Sequence, residues 1–142
     1  MTNFALIYRP EDPYTDLAQA IRFIYDHAEE LEVNPEDYSL WGGSAGARMA
    51  AVLGNREVLS SFGMTEIPQA AAVIMQYTGY STVSDQDAPT YVCVGTSDGI
   101  ANWKTMQTRL QRLENMGIPT EFHSYEGLPH GFGLGTGTSA EG

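Results

Sequence analysis

The chain has 142 residues, of which 42% are hydrophobic and 11% aromatic, enough for one packed domain and too apolar for a disordered segment. Seven basic residues stand against 18 acidic ones, a formal charge of −11, and Lys104 is the only lysine; phosphate backbones and anionic lipid surfaces are therefore poor partners, and neither nucleic acid nor a membrane is expected. No apolar run approaches the roughly 18 residues of a membrane helix. Met1 leads into polar Thr2 and Asn3 rather than into a basic signal-peptide region, so a cytoplasmic location is expected.

Phe4-Ala5-Leu6-Ile7-Tyr8 reads as a short apolar strand, closed by Pro10 and Pro13. Pro13 suits a first helical turn with Asp12 before it, and Leu17, Ile21, Ile24, Ala28 and Leu31 recur at helical spacing, which predicts a helix over 13–32. Nine carboxylates lie between Glu11 and Asp37, the pattern of a solvated helix face and a turn. Tyr38-Ser39-Leu40-Trp41 predicts a second strand, running into Gly42-Gly43-Ser44-Ala45-Gly46 and a small-residue helix from Ala47 to Leu53. Residues 54–69 are irregular. Further strands are expected over 71–76, 90–94 and 119–125, with a polar loop at 78–89 and an amphipathic helix at 101–116. Strands alternating with crossover helices predict a single α/β domain over 1–142, with a mostly parallel sheet of about five strands. In such sheets ligands gather at the carboxyl ends of the strands, so reactive residues are sought there.

Gly42-Gly43-Ser44-Ala45-Gly46 is a G-x-S-x-G between a strand and a helix. The glycines two before and two after let neighbouring backbone pass closely, so that the serine Oγ projects free on a sharp turn. The Ala45 N–H then points where an oxyanion would form, at a helix N-terminus. Gly95-Thr96-Ser97-Asp98-Gly99 is a second G-x-S-x-G after a strand. With Ser97 as nucleophile, the acid would have to be Glu126, only four residues before His130. With Ser44 as nucleophile, Asp98 becomes the acid and His130, in Pro129-His130-Gly131-Phe132, the base. Each then follows a different strand, in the order Ser, Asp, His, and this assignment is favoured. Asp85 and Asp87 precede a strand and are weaker rivals for the acid. Gly43, Tyr77 and Tyr80 are candidates for substrate contact, although loop packing is the more ordinary fate for the two tyrosines. His27 and His123 read as structural or solvated. Cys93, the only cysteine, lies inside an apolar run and reads as a buried thiol. With no H-E-x-x-H and no C-x-x-C, no metal is expected.

Together these motifs resemble the α/β-hydrolase esterases related to acetyl-xylan esterases and to hormone-sensitive-lipase-like carboxylesterases. Tyr8-Arg9-Pro10 resembles the end of that fold's fourth strand, Gly42 to Gly46 its nucleophile elbow, Gly95 to Gly99 its acid loop and Pro129-His130-Gly131-Phe132 its histidine loop. The resemblance implies hydrolysis of small or medium acyl esters, acetylated polysaccharide among them, through an acyl-enzyme on Ser44, with no cofactor. It also implies missing parts: the H-G-G segment carrying the second oxyanion donor is absent, as is the helix after the histidine loop, as in a carboxyl-terminal portion of a larger hydrolase cut at both ends. Losing one oxyanion donor costs about 10²–10³ in rate. Without the third strand of the family, a sheet laid in simple chain order would carry all its helices on one face. The other face would be bare, so self-association is expected; the alternative reading is a catalytically impaired module that binds itself or a partner through that face.

Overall fold

Four parallel strands lie side by side in chain order, and that order decides which faces of the sheet are covered. A computed structural model describes residues 1–141. The strands are β1 (Ser39–Gly43), β2 (Ala72–Gln76), β3 (Thr90–Gly95) and β4 (Thr120–Tyr125), with order β1-β2-β3-β4. The helices are α1 (Pro13–Asp26), α2 (Ala45–Leu53), α3 (Arg56–Ser61) and α4 (Trp103–Asn115). None is long and apolar enough to cross a membrane.

Register aligns Leu40 with Val73, Val73 with Thr90, and Met75 with Val92 and Phe122. These residues share the face on which α2 packs against β1 and β2, and α4 against β3 and β4. Val73, Met75, Val92 and Val94 are buried there with Ala47, Leu53, Met106 and Leu110. Right-handed crossovers between strands laid in chain order all fall on one side, which accounts for the pattern. The opposite face carries Trp41, Ile74, Tyr91, His123 and Tyr125. Among the described residues no helix packs on it: burial alternates along β2, and Trp41 is 66% exposed. The bare face expected from the sequence is present, and it is aromatic.

The predicted strand at 4–8 is not a strand. Residues 1–9 form no regular structure and are exposed, Ile7 at 97%, with Arg9 paired to Asp16 of α1 at 2.6 Å. A strand needs a neighbour for its backbone donors and acceptors. Here the segment stands outside the sheet and lines a groove of about 1160 Å³ together with Leu40, Trp41 and Met49. The first helix also stops early, at Asp26 rather than residue 32. Glu29, Glu30 and Glu32 would have extended it with like charges at the negative end of its dipole, and no basic residue in its last turn offsets them.

The crossover from β2 to β3, residues 77–89, contains no helix. Arg109 of α4, only 2% exposed, holds it by donating to the Thr82 carbonyl (3.1 Å) and to Asp87 Oδ2 (3.1 Å). Asn55 caps α3 with its Oδ1 and reaches Ser84 Oγ and Asp87 Oδ1 with its Nδ2, at 2.8 and 2.7 Å.

Candidate active site

The site is built where β1, β3 and β4 end. Ser44 joins β1 to α2 with φ 54° and ψ −115°, a left-handed turn that costs a residue with a Cβ and exposes its side chain. Its N–H donates to the Gln76 carbonyl at 2.9 Å, continuing the β1–β2 ladder to the turn. Gly42 is obligatory: a Cβ there would lie 2.1 Å from the carbonyl carbon of Gly46. Gly46 differs from the sequence expectation. No atom stands within 4 Å of a Cβ built on it, and it borders the groove. Ala45 is exposed and is the first residue of α2, so its N–H is one of the amides a helix leaves without an internal acceptor.

Asp98 lies in the turn after β3 with its side chain fully buried. Its Oδ1 accepts from the N–H of Ile100 (2.8 Å) and of Ala101 (2.7 Å), and its Oδ2 accepts from His130 Nδ1 at 2.8 Å. Burial alone would raise the carboxyl pKa; the Ala101 and Ile100 amides and the His130 ring outweigh it and hold the group below the ordinary carboxylate value. His130 comes from the loop after β4. Its Nε2 stands 2.9 Å from Ser44 Oγ, so with Nδ1 committed to donating to Asp98, Nε2 accepts the serine proton. One imidazole thus joins Ser44, 86 positions before it, to Asp98, 32 positions before it.

The acid and histidine loops are tied together. Ser97 N–H donates to the Leu128 carbonyl (3.1 Å) and Gly127 N–H to Thr96 Oγ1 (2.9 Å). A Cβ on Gly95 would sit 2.0 Å from that same Leu128 oxygen, so this close approach requires glycine. The rival Ser97 is exposed and lies at this junction rather than against a histidine. Asp87 is paired with Arg109, and Asp85 contacts only the Gln86 side chain. His123 donates to Glu121 at 2.6 Å, and His27 Nδ1 to the Phe23 carbonyl at 2.8 Å. Burial pushes the Cys93 thiol up to about 11, so it is protonated at neutral pH.

The two candidate substrate tyrosines part company. Tyr80 lies between guanidinium groups, Arg48 at 5.7 Å and Arg109 at 5.4 Å from its ring centre, on the helix side of the sheet. Tyr77 lies at the site itself: its ring meets His130 edge-on at 5.0 Å, and its hydroxyl would be 2.9 Å from a Cβ on Gly43. Gly43 therefore packs beneath Tyr77. Phe132, two residues after His130, meets the other side of Tyr77 at 5.1 Å. Sequence reading assigns Phe132 no separate role; its place inside the Pro129-His130-Gly131-Phe132 motif was the available signal.

Among solved structures, the chain superposes on an acetyl ester-xyloside bifunctional hydrolase from Caldicellulosiruptor lactoaceticus with TM-score 0.76 and 18% identity, over 93% of this chain and 61% of that one. A carboxylesterase from Lactobacillus plantarum WCFS1 gives 0.73 at 19% identity, over 86% of this chain and 56% of that one. The fold is a partial α/β-hydrolase fold. Esterase 2 of Thermogutta terrifontis, in a structure where it is phosphorylated by paraoxon, gives 0.68 at 24% identity, over 85% of this chain and 54% of that one. The chain thus spans 54–61% of the length of the three structures. The BD-FAE family model matches residues 11–66, which include β1, the Ser44 turn and α2. No curated protein matches in sequence. In the α/β-hydrolase frame, Ser44, Asp98 and His130 occupy the carboxyl ends of three different strands, where this architecture concentrates its chemistry.

Proposed function

We propose that the chain carries the catalytic residues of a serine hydrolase that cleaves small or medium acyl esters. The observation behind this reading is the pair of hydrogen bonds on His130, 2.9 Å to Ser44 Oγ and 2.8 Å to Asp98. Ser44 Oγ attacks the acyl carbon as His130 Nε2 takes its proton. The carbonyl oxygen becomes an oxyanion facing the Ala45 N–H and the positive end of α2. His130, now a cation beside the Asp98 carboxylate, passes the proton to the departing alkoxide, and the C–O bond to the alcohol breaks. Water then attacks the acyl-Ser44 ester, His130 again takes and returns a proton, and the acid leaves with Ser44 restored. Side chains and backbone alone handle every proton and charge in this sequence. Acetyl groups on a polysaccharide are the substrate most in keeping with the similar acetyl ester-xyloside hydrolase.

A fluorophosphonate probe followed by peptide mapping tests the reading. Label is expected on Ser44 and is expected to vanish in Ser44→Ala; folded protein that takes no label on Ser44 overturns it. The bare sheet face supports a second property, association of the chain with itself. Trp41, Ile74, Tyr91 and Tyr125 lie there in a molecule of formal charge −11, and Glu121 and His123 on the same face pair with each other.

A further inference from the structure

Tyr77, the first residue after β2, has φ +39°, a backbone angle that residues with a Cβ rarely adopt and for which neither glycine nor asparagine has been supplied. Such a conformation persists only where its surroundings enforce it, and it concentrates at functional sites. Here the Tyr77 N–H donates to the Cys93 carbonyl at 2.9 Å, and the side chain is 8% exposed. The consequence is directional: the ring crosses the end of the sheet over Gly43 and meets the His130 imidazole at 5.0 Å, the planes inclined by 70°. Phe132 backs Tyr77 at 5.1 Å, and Tyr125 backs Phe132 at 5.7 Å.

The two hydrogen bonds of His130 run from its two nitrogens. Two bonds do not by themselves stop the side chain from swinging about its Cβ–Cγ bond, and that swing carries Nε2 off the line to Ser44 Oγ. An aromatic neighbour packed against one flank removes that freedom. The geometry points to Tyr77 as the positioning residue of His130: a wall whose ring, not its hydroxyl, keeps the imidazole aimed at Ser44. The inference rests on the hydrolase reading and gives Tyr77 a different task from lining the substrate. It also explains why Gly43 bears no side chain, since a Cβ there would meet the Tyr77 hydroxyl at 2.9 Å and its ring at 3.1 Å.

The test compares Tyr77→Phe and Tyr77→Leu by hydrolysis of p-nitrophenyl acetate, by the rate of fluorophosphonate labelling and by the low-field proton resonance of His130 Nδ1–H. A misplaced catalytic group loses about 10²-fold in rate, so Tyr77→Leu is expected to lower kcat and labelling by that order with KM nearly unchanged. Tyr77→Phe is expected to stay within about 3-fold of the parent, since the ring remains. The low-field resonance is expected to stay sharp in the parent and in Tyr77→Phe and to broaden or vanish in Tyr77→Leu, also in a Ser44→Ala background. Parent-like kinetics and resonance in Tyr77→Leu overturn the proposal. So does a Tyr77→Phe variant as impaired as Tyr77→Leu, because the hydroxyl would then be the active group. If Tyr77→Leu fails to fold, Gly43→Ala takes its place. Its loss of rate is expected to be rescued in part by adding Tyr77→Phe, which removes the first atom struck, and absence of rescue overturns the proposal. If the parent itself takes no label, the hydrolase reading falls, and the resonance comparison still decides whether Tyr77 orders His130.

Discussion

Asp98 divides its work between two oxygens. One closes its own turn on Ile100 and Ala101, and the other faces the histidine. Asp98→Asn would keep the first role and put an amide N–H₂ where His130 Nδ1 needs an acceptor. The imidazole would then carry its proton on Nε2 and could not accept from Ser44. A loss of about 10³–10⁴ in kcat is expected with little change in the circular dichroism spectrum, and steady-state kinetics on an aryl ester checks it. The same carboxylate gives stability a sign in pH. Its folded-state pKa is depressed, so its contribution is complete above the ordinary carboxylate value near 4 and is lost as pH falls through the lower folded-state value. Urea midpoints between pH 6 and pH 2 should therefore fall toward acid less steeply in Asp98→Asn than in the parent. Ser44, Asp98 and His130 were legible because each motif directly follows a strand. Tyr77 was singled out only as a candidate for substrate contact; its positive φ and its place against His130 depend on Gly43, Cys93 and His130, all distant in sequence, and no glycine marks the turn.

The elements hold these residues through close backbone approach and one buried clamp. The Gly95–Leu128 contact joins the end of β3 to the histidine loop, so Gly95→Ala must push Leu128, and with it His130, away from Asp98. A destabilisation of about 1–3 kcal/mol is expected, with loss of Ser44 labelling greater than that figure alone explains, read by thermal melting and probe labelling together. The Arg109–Asp87 pair is the other joint. With side chains 1% and 7% exposed, it is shielded from water, and removing one partner leaves a buried charge. Arg109→Met is expected to cost about 3–5 kcal/mol by denaturant unfolding, since it also frees the Thr82 carbonyl and the loop that begins at Tyr77. The helices at 45–53 and 103–115 and the four strands followed from periodicity and turn residues. Residues 4–8 did not, because five apolar residues describe what a strand buries and not whether a neighbour stands within reach. Likewise, residues 27–32 kept the helical spacing of apolar side chains while their carboxylates opposed the helix end.

At the scale of the molecule, the sheet order leaves one face to the solvent. A parallel sheet is normally covered on both sides, and here no described helix packs over Trp41, Ile74 and Tyr91, Trp41 being 66% exposed. Concentration-dependent association is expected in sedimentation velocity, and Trp41→Lys combined with Ile74→Lys is expected to return the chain to a monomer without lowering its melting temperature; a monomeric parent at all concentrations overturns the expectation. The sequence predicted this bare face from topology alone. It did not predict that Gly46 would have nothing beside it, because the motif records a space without recording what occupies it.

Because each strand pairs with the next in the chain, the sheet can grow in the order in which the residues leave a ribosome. β1 is held by β2 and β2 by β3 before β4 has been made. Ser44 is therefore housed early, and Asp98 follows when its turn closes. His130 follows β4 in the chain, so on the proposed hydrolase reading the Ser44 hydroxyl gains its base only after all four of these strands have been made.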